Sequence, residues 1–149
     1  MDYLAIADAL AARFAAAAVT PPAGLTNIAL STARPPNALV QSPSVVVWPD
    51  KGEIVFEGGY RYDRTADFMV SFYYARHEGD IPRETAALLS WLGVLTDQLR
   101  GQMKLGLAGV AKALVTGWQV GTLTYAGIAY DGITLSVSVW TEEQAPLTP

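Results

Sequence analysis

Asp63, Asp67, His77, Glu78 and Asp80 are the residues whose types and spacing invite a chemical reading. An imidazole among carboxylates is the ligand set of a divalent metal. His77 is the single histidine, in "RHEGD". Metal motifs such as HExxH hold their ligands at intervals that bring them to one face. No such interval occurs here, and one histidine with loop acids reads as a solvated turn. Serine hydrolysis would need the GxSxG elbow, which is missing. "GQMKLGLAG" (101–109) is rich in glycine but lacks the GK[ST] that grips phosphate and magnesium, and GxGxxG is absent. "YRYDR" (60–64) mixes aromatics with arginines as a single-strand binder does, but Glu57, Asp63 and Asp67 cancel its field. An exposed strand with cross-strand charge pairs accounts for it. With no cysteine, thiol catalysis, disulfides and cysteine zinc clusters are excluded. The expectation is a protein that is not an enzyme, with no catalytic residues, cofactor or metal.

At 149 residues the chain is long enough to form one domain, burying about 70% of its unfolded surface. Its net charge of −4, with the basic residues dispersed, argues against binding nucleic acid by phosphate neutralisation. Charged residues are 16% of the chain, against about 25% in an ordinary globular protein. Less polar surface is available to face water, which favours burial of some of it in an assembly. No apolar run approaches the ~18 residues of a membrane span. "MDYLAIADALAARFAAAA" is alanine-rich, yet Asp2, Asp8 and Arg13 interrupt it and no basic leader precedes it. It therefore reads as a helix and not as a secretory signal, and synthesis is expected in the cytoplasm.

The elements that would position these residues follow from periodicity. Ile6, Leu10 and Phe14 recur at helical spacing and predict a helix from Asp2 to Ala18, stopped by "TPPAG". A short strand is expected around Asn27–Ser31, followed by an extended surface connection through "ARPPNALVQSP" (33–43). "SVVVW" (44–48), between Pro43 and Pro49, predicts a strand covered on both faces. "EIVFEGGYRYDR" (53–64) predicts two strands or an arm broken at Gly58-Gly59. In 65–76, Phe68, Val70, Phe72 and Tyr74 face one way and Met69, Ser71 and Tyr73 the other, as in an inner strand. A second helix starts near Asp80 or Ile81. It carries the stripe Leu88, Trp91, Leu92, Leu95 and Leu99 and closes at Gly101.

A strand at 110–121 is followed by "TYAGIAYDGITLSVSVW" (124–140). Asp-Gly is a strong two-residue hairpin turn, so Asp131-Gly132 is read as the tip. That reading pairs Tyr130 with Ile133, Ile128 with Leu135, and Ala126 with Val137. It sets an apolar face, with Val139, against a smooth face of Gly127, Ala129, Thr134, Ser136 and Ser138. The fold expected is α+β, a single antiparallel or mixed sheet of four to six strands with two helices on one face. Residues 1–140 form the domain and 141–149 a flexible tail.

In this order of parts the chain resembles the tail-terminator and neck, or tail-completion, proteins of long-tailed bacteriophages. The resemblance lies in the N-terminal helix, "STARPPNALVQSPSVVVWPD", "GGYRYDRTADFMVSFYYAR" leading into "IPRETAALLSWLGVLTDQL", and the closing "YAGIAYDGITLSVSVW", over about residues 2–140. It implies a virion structural subunit that forms a homohexameric ring. The ring caps the tail tube, stops its polymerisation and docks to the head-tail connector or stopper, with DNA only passing through its bore and no membrane involved. Function in that family is carried by surfaces, so no catalytic residues transfer. Another neck component, a stopper or adaptor, is the neighbouring reading.

A ring needs two different surfaces of each subunit to meet. The arm Gly58, Gly59, Tyr60, Arg61 and Tyr62 is the candidate for one, because aromatics and arginine dominate interface energies. The uncharged face at Thr134, Ser136 and Ser138 is the candidate for the other. A reading from a different class is a small-ligand-binding α+β domain using Trp48, Tyr60, Tyr62 and Trp118. A further one is a small enzyme built on Asp63, Asp67 and His77.

Overall fold

A computed structural model of the protein describes residues 2–57, 61–78 and 81–144, all but the side chains of 55–57, 61–62, 81–83 and 142–144. Helix α1 (Tyr3–Arg13) opens at Asp2, whose carboxylate accepts a hydrogen bond from the Ala5 amide at 3.0 Å. This satisfies one of the free amides of the first turn. Ile6, Leu10 and Phe14 are buried, as their spacing predicts. The helix ends four to five residues before Ala18, with Phe14 as its C-cap. Beyond Phe14 the alanines offer little to pack, and the chain tightens into turns. The Asn27 side-chain amide donates to the Ala16 and Val19 carbonyls there, each at 3.3 Å.

Among the described residues, five strands form one mixed sheet in the order β1-β2-β3-β5-β4. The three-residue β1 (Leu30–Thr32) runs parallel to the start of β2 (Ser44–Glu57). β2 does not stop at Pro49 as expected. β1 covers only Ser44–Val46, so Pro49 sits where the strand has an open edge, and a bulge between Pro49 and Lys51 absorbs the irregularity. β3 (Arg61–Arg76) is the inner strand that its two-sided pattern predicts, antiparallel to β2 on one side and to β5 (Ile128–Gln144) on the other. β4 (Val110–Tyr125) closes the far edge against β5. β5 continues to Gln144 with Thr141 buried, so the tail placed at 141–149 begins no earlier than 145, outside the described residues.

The hairpin tip is displaced from its expected position. β4 turns into β5 at Ala126-Gly127, with φ of 50° and 81°, while Asp131-Gly132 lies inside β5. Two consecutive positive φ values are what a two-residue hairpin of the favoured hand requires. Gly132 is glycine for another reason: a Cβ there would stand 2.2 Å from the Phe72 carbonyl oxygen. The strand therefore runs straight through, and Tyr130 and Ile133 alternate to opposite faces instead of opposing each other.

Helix α2 (Ile81–Thr96) and α1 pack on one sheet face, as expected. The core there holds Ile6, Leu10, Phe14, Leu88, Trp91, Leu95 and Leu99 against Val45, Val47, Phe68, Val70, Phe72, Ile133, Leu135, Val137 and Val139. Trp91 packs on Phe72 with the rings tilted by 44° and their centres 5.0 Å apart. Leu92 is only half-buried, and the chain unwinds into turns after Thr96, whose hydroxyl donates to the Leu92 carbonyl at 2.8 Å. Gly101 takes a positive φ of 78° in those turns. No helix among the described residues is long and apolar enough to cross a membrane.

Segment 33–43 does more than connect. Leu39 is buried on the second face with Val46, Tyr73, Tyr125 and Tyr130, and the Tyr125 hydroxyl donates to the Pro36 carbonyl. Edge-on contacts of Tyr73 with Tyr125 and Tyr130, at 5.3 and 5.7 Å, build this smaller core. An apolar leucine amid prolines carries no period, which is why the segment reads as a plain connection in sequence.

Candidate interaction surfaces

The described residues contain no group of three or more acidic or histidine side chains placed to hold a metal. Asp67 lies in register with Ser138, whose hydroxyl donates to its Oδ1 at 2.6 Å. Asp80 lies outside the described residues. His77 has a partner that its sequence neighbours do not reveal. Its Nδ1 is 2.7 Å from Asp131 Oδ1, and its amide donates to the Ala129 carbonyl at 3.1 Å. Asp131 is 9% exposed, while His77 reaches water. The pair ties the end of β3 to β5 beyond the bulge between Tyr73 and Ala75. A separation of 54 residues hides such a pair from any local motif.

Of the arm, Gly58, Gly59 and Tyr60 lie outside the described residues. Arg61 and Tyr62 start β3, opposite Glu57 and Phe56 on β2 and opposite Gln144 and Glu143 on β5. Three strands therefore continue together towards residues 57–61. Ile54, 51% exposed, joins neither apolar cluster. Exposed in this way, Ile54 is left to solvent or to a neighbour.

The second candidate surface, Thr134, Ser136 and Ser138, does share the face opposite the helices, because Ile133, Leu135, Val137 and Val139 take the other. Ser136 is exposed and the other two are half-buried. The face is not free of charge, however. Register sets Asp67 beside Ser138, and the row next to it reads Trp48, Met69, Ser136, Gly117. A carboxylate and two large apolar side chains thus interleave with the hydroxyls. β5 read alone shows only its own residues; the neighbours supplied by β2 and β3 change the character of the surface. Trp48 is half-buried against Tyr125, with ring centres 6.1 Å apart, whereas Trp118 is 57% exposed.

A groove of about 530 Å³ opens where the start of α1 meets the bulged part of β2. Tyr3, Pro49, Ile54, Ala66 and Phe68 give it apolar walls, and Asp50, Lys51, Glu53 and Asp67 rim it. Glycine is required at its edge, since a Cβ at Gly52 would meet the Thr65 carbonyl oxygen at 2.7 Å. The segment before the bulge gives no local hint of the groove, which needs the first helical turn to complete it.

On the second face, burial pushes the Tyr73 phenol above its usual pKa, with side-chain hydrogen bonding to Ser71 and Trp48 opposing the shift. Tyr125 is raised too, by burial first and by the neighbouring Tyr73 second. Both are held neutral and serve as packing and hydrogen-bonding groups. The chain matches no model of a known protein family, and it matches no curated protein.

Proposed function

We propose that this protein is a structural subunit of a long-tailed bacteriophage virion. As a tail terminator it forms a ring, taken as a hexamer, that caps the tail tube, ends its polymerisation and docks to the head-tail connector or stopper. DNA only passes through the bore. The observation that carries this reading is the three-stranded ladder of β2, β3 and β5, which runs on towards residues 57–61 and leaves Ile54 51% exposed. An extension of this kind offers a surface to a neighbour, and head-to-tail contacts between unlike surfaces form a ring when the rotation closes. The low charge of the chain supports the same reading. The test is electron microscopy of the purified protein, alone and with tail tubes, beside a folded Tyr60→Ala, Tyr62→Ala double variant. Rings on tube ends from the wild type and none from the variant are expected. A wild type that never rings in the presence of tubes would sink the proposal.

The apolar groove beside α1 favours a second reading, a small-ligand-binding domain, since its volume falls in the range of about 300–1,000 Å³ common for such sites. That reading requires a monomer or dimer whose melting temperature rises with an apolar ligand and falls back on Ile54→Lys. The same microscopy separates it from the first.

A further inference from the structure

Strand β4 is an outer strand, paired with β5 on one side and, among the described residues, with no strand on the other. An open row of N–H and C=O groups is a template for another strand, and natural edges are blunted by proline, bulges and charge. The β2 edge carries these devices. β1 covers Ser44–Val46, and Pro49, a bulge, Asp50, Lys51 and Glu53 follow. From Gly117 to Tyr125, β4 has none: it is unbroken against β5 and holds neither proline nor charge.

Three features of that stretch point to what pairs with it. Trp118 continues the row Val47, Val70, Leu135 on the helix side of the sheet, yet stands 57% exposed at its end. Gly117 adjoins the bulge after Val115, whereas Gly121 has no such irregularity beside it in the pairing with β5. A Cβ at either would meet nothing within 4 Å, and neither has a positive φ. A glycine within a strand weakens it relative to alanine and often marks the approach of another group. Finally, Gly117-Trp118-Gln119-Val120-Gly121 is symmetric in kind about Gln119. A twofold contact demands such self-complementarity, because each position meets its counterpart across the axis.

We propose that the free edge of β4 pairs antiparallel with the same edge of a second copy of this chain, in the register that sets Gln119 opposite Gln119. Trp118 then stands opposite Val120 of the other copy on the helix side, twice by symmetry. On the other side the two Gln119 amides lie across one another, and the glycines diagonal to them leave the space both side chains occupy. A twofold contact closes on itself, so it is separate from the head-to-tail joint of the proposed ring and stands or falls apart from it.

Because the chain has no cysteine, single cysteines report the register directly. Directly opposed residues in antiparallel strands have Cα atoms about 4.5–5.5 Å apart, within the ~4.4–6.8 Å that a disulfide spans. Gln119→Cys should therefore form a disulfide-linked dimer under mild oxidation. Thr124→Cys, also exposed on β4, would lie about 34 Å from its counterpart and should stay unlinked. In sedimentation velocity the wild type should dimerise, and Trp118→Ala, folded by circular dichroism, should raise the dissociation constant about tenfold or more. Failure of Gln119→Cys to link, equal linking by Thr124→Cys, or undiminished dimerisation of Trp118→Ala would each overturn the pairing. Rings without the crosslink would overturn it and leave the ring reading standing. A crosslinked dimer as the largest species even with tail tubes would support it and remove the ring.

Discussion

Tyr130 and Ile133 stand on opposite faces of the sheet, three residues apart on one unbroken strand. Ile133 lies beneath the helices, and Tyr130 packs edge-on against Tyr73 on the far side. Had the chain turned at Asp131-Gly132, the two would have shared a face. The strand passes through because Ala126-Gly127 already makes the turn, which leaves Gly132 to fit beneath the β3 backbone.

Gly132→Ala should accordingly be costly. The added carbon would stand 2.2 Å from the Phe72 carbonyl oxygen, and the paired strands must part to admit it. A loss of about 1–3 kcal/mol is expected, the usual range for forced overpacking. Gly117→Ala, where the added carbon meets nothing and φ is not positive, is the matched control. It should be neutral or stabilise the subunit by up to about 1 kcal/mol. Urea unfolding of the pair measures both; equal effects would contradict this account.

Leu95 is fully buried between α2 and the sheet. Leu95→Ala should lose about 2–5 kcal/mol, as truncation of a buried leucine does. Leu89 is exposed on the outer side of the same helix, and Leu89→Ala should change stability by no more than about 0.5 kcal/mol. Thermal unfolding of the two variants distinguishes a helix seated on Leu95 from one rotated about its axis.

What was legible in the sequence was whatever repeats locally. The stripe of α2 buries one side and the alternation of β3 places apolar residues on both, so periodicity alone identifies the helix face, the inner strand and the α+β class. What was not legible depends on partners far along the chain. Pro49 reads as a strand end in sequence because its open edge is defined by the shortness of β1. Leu39 reads as part of a linker because its partners, Val46, Tyr73, Tyr125 and Tyr130, come from four strands. The face at Thr134, Ser136 and Ser138 reads as uncharged because Asp67 reaches it only through the β3 register.

His77 is a further case, and it changes an expectation. Read as a solvated turn, its removal should be silent. Paired with Asp131, its removal leaves a largely buried carboxylate without that partner. His77→Ala should cost about 1 kcal/mol or more, since an unsatisfied buried acceptor is penalised by its lost solvation. His77→Ala added to Asp131→Asn should cost less than the sum of the two single changes. Additive effects in that double-mutant cycle would show that the contact contributes nothing.

The last prediction concerns alkaline pH. Burial raises the pKa of Tyr73, so the folded state holds its proton more tightly than the unfolded chain does. A group shifted in this direction contributes stability that is complete below its unfolded pKa, about 10 for tyrosine, and is lost as pH rises through the higher folded value. Stability should thus be insensitive to this group at neutral pH and fall above about 10 as the phenolate becomes the favoured form of the unfolded chain. Tyr73→Phe removes the ionisation. It also removes hydrogen bonding with Ser71 and Trp48, so the variant should begin less stable at neutral pH. Its stability should then decline less steeply than that of the wild type, narrowing the difference as pH rises. Lysine and the other tyrosines titrate in the same interval in both proteins, so the difference between the two curves isolates Tyr73. Urea unfolding across that interval measures it, and parallel curves would mean that the phenol is no more protected from ionisation when folded than when unfolded.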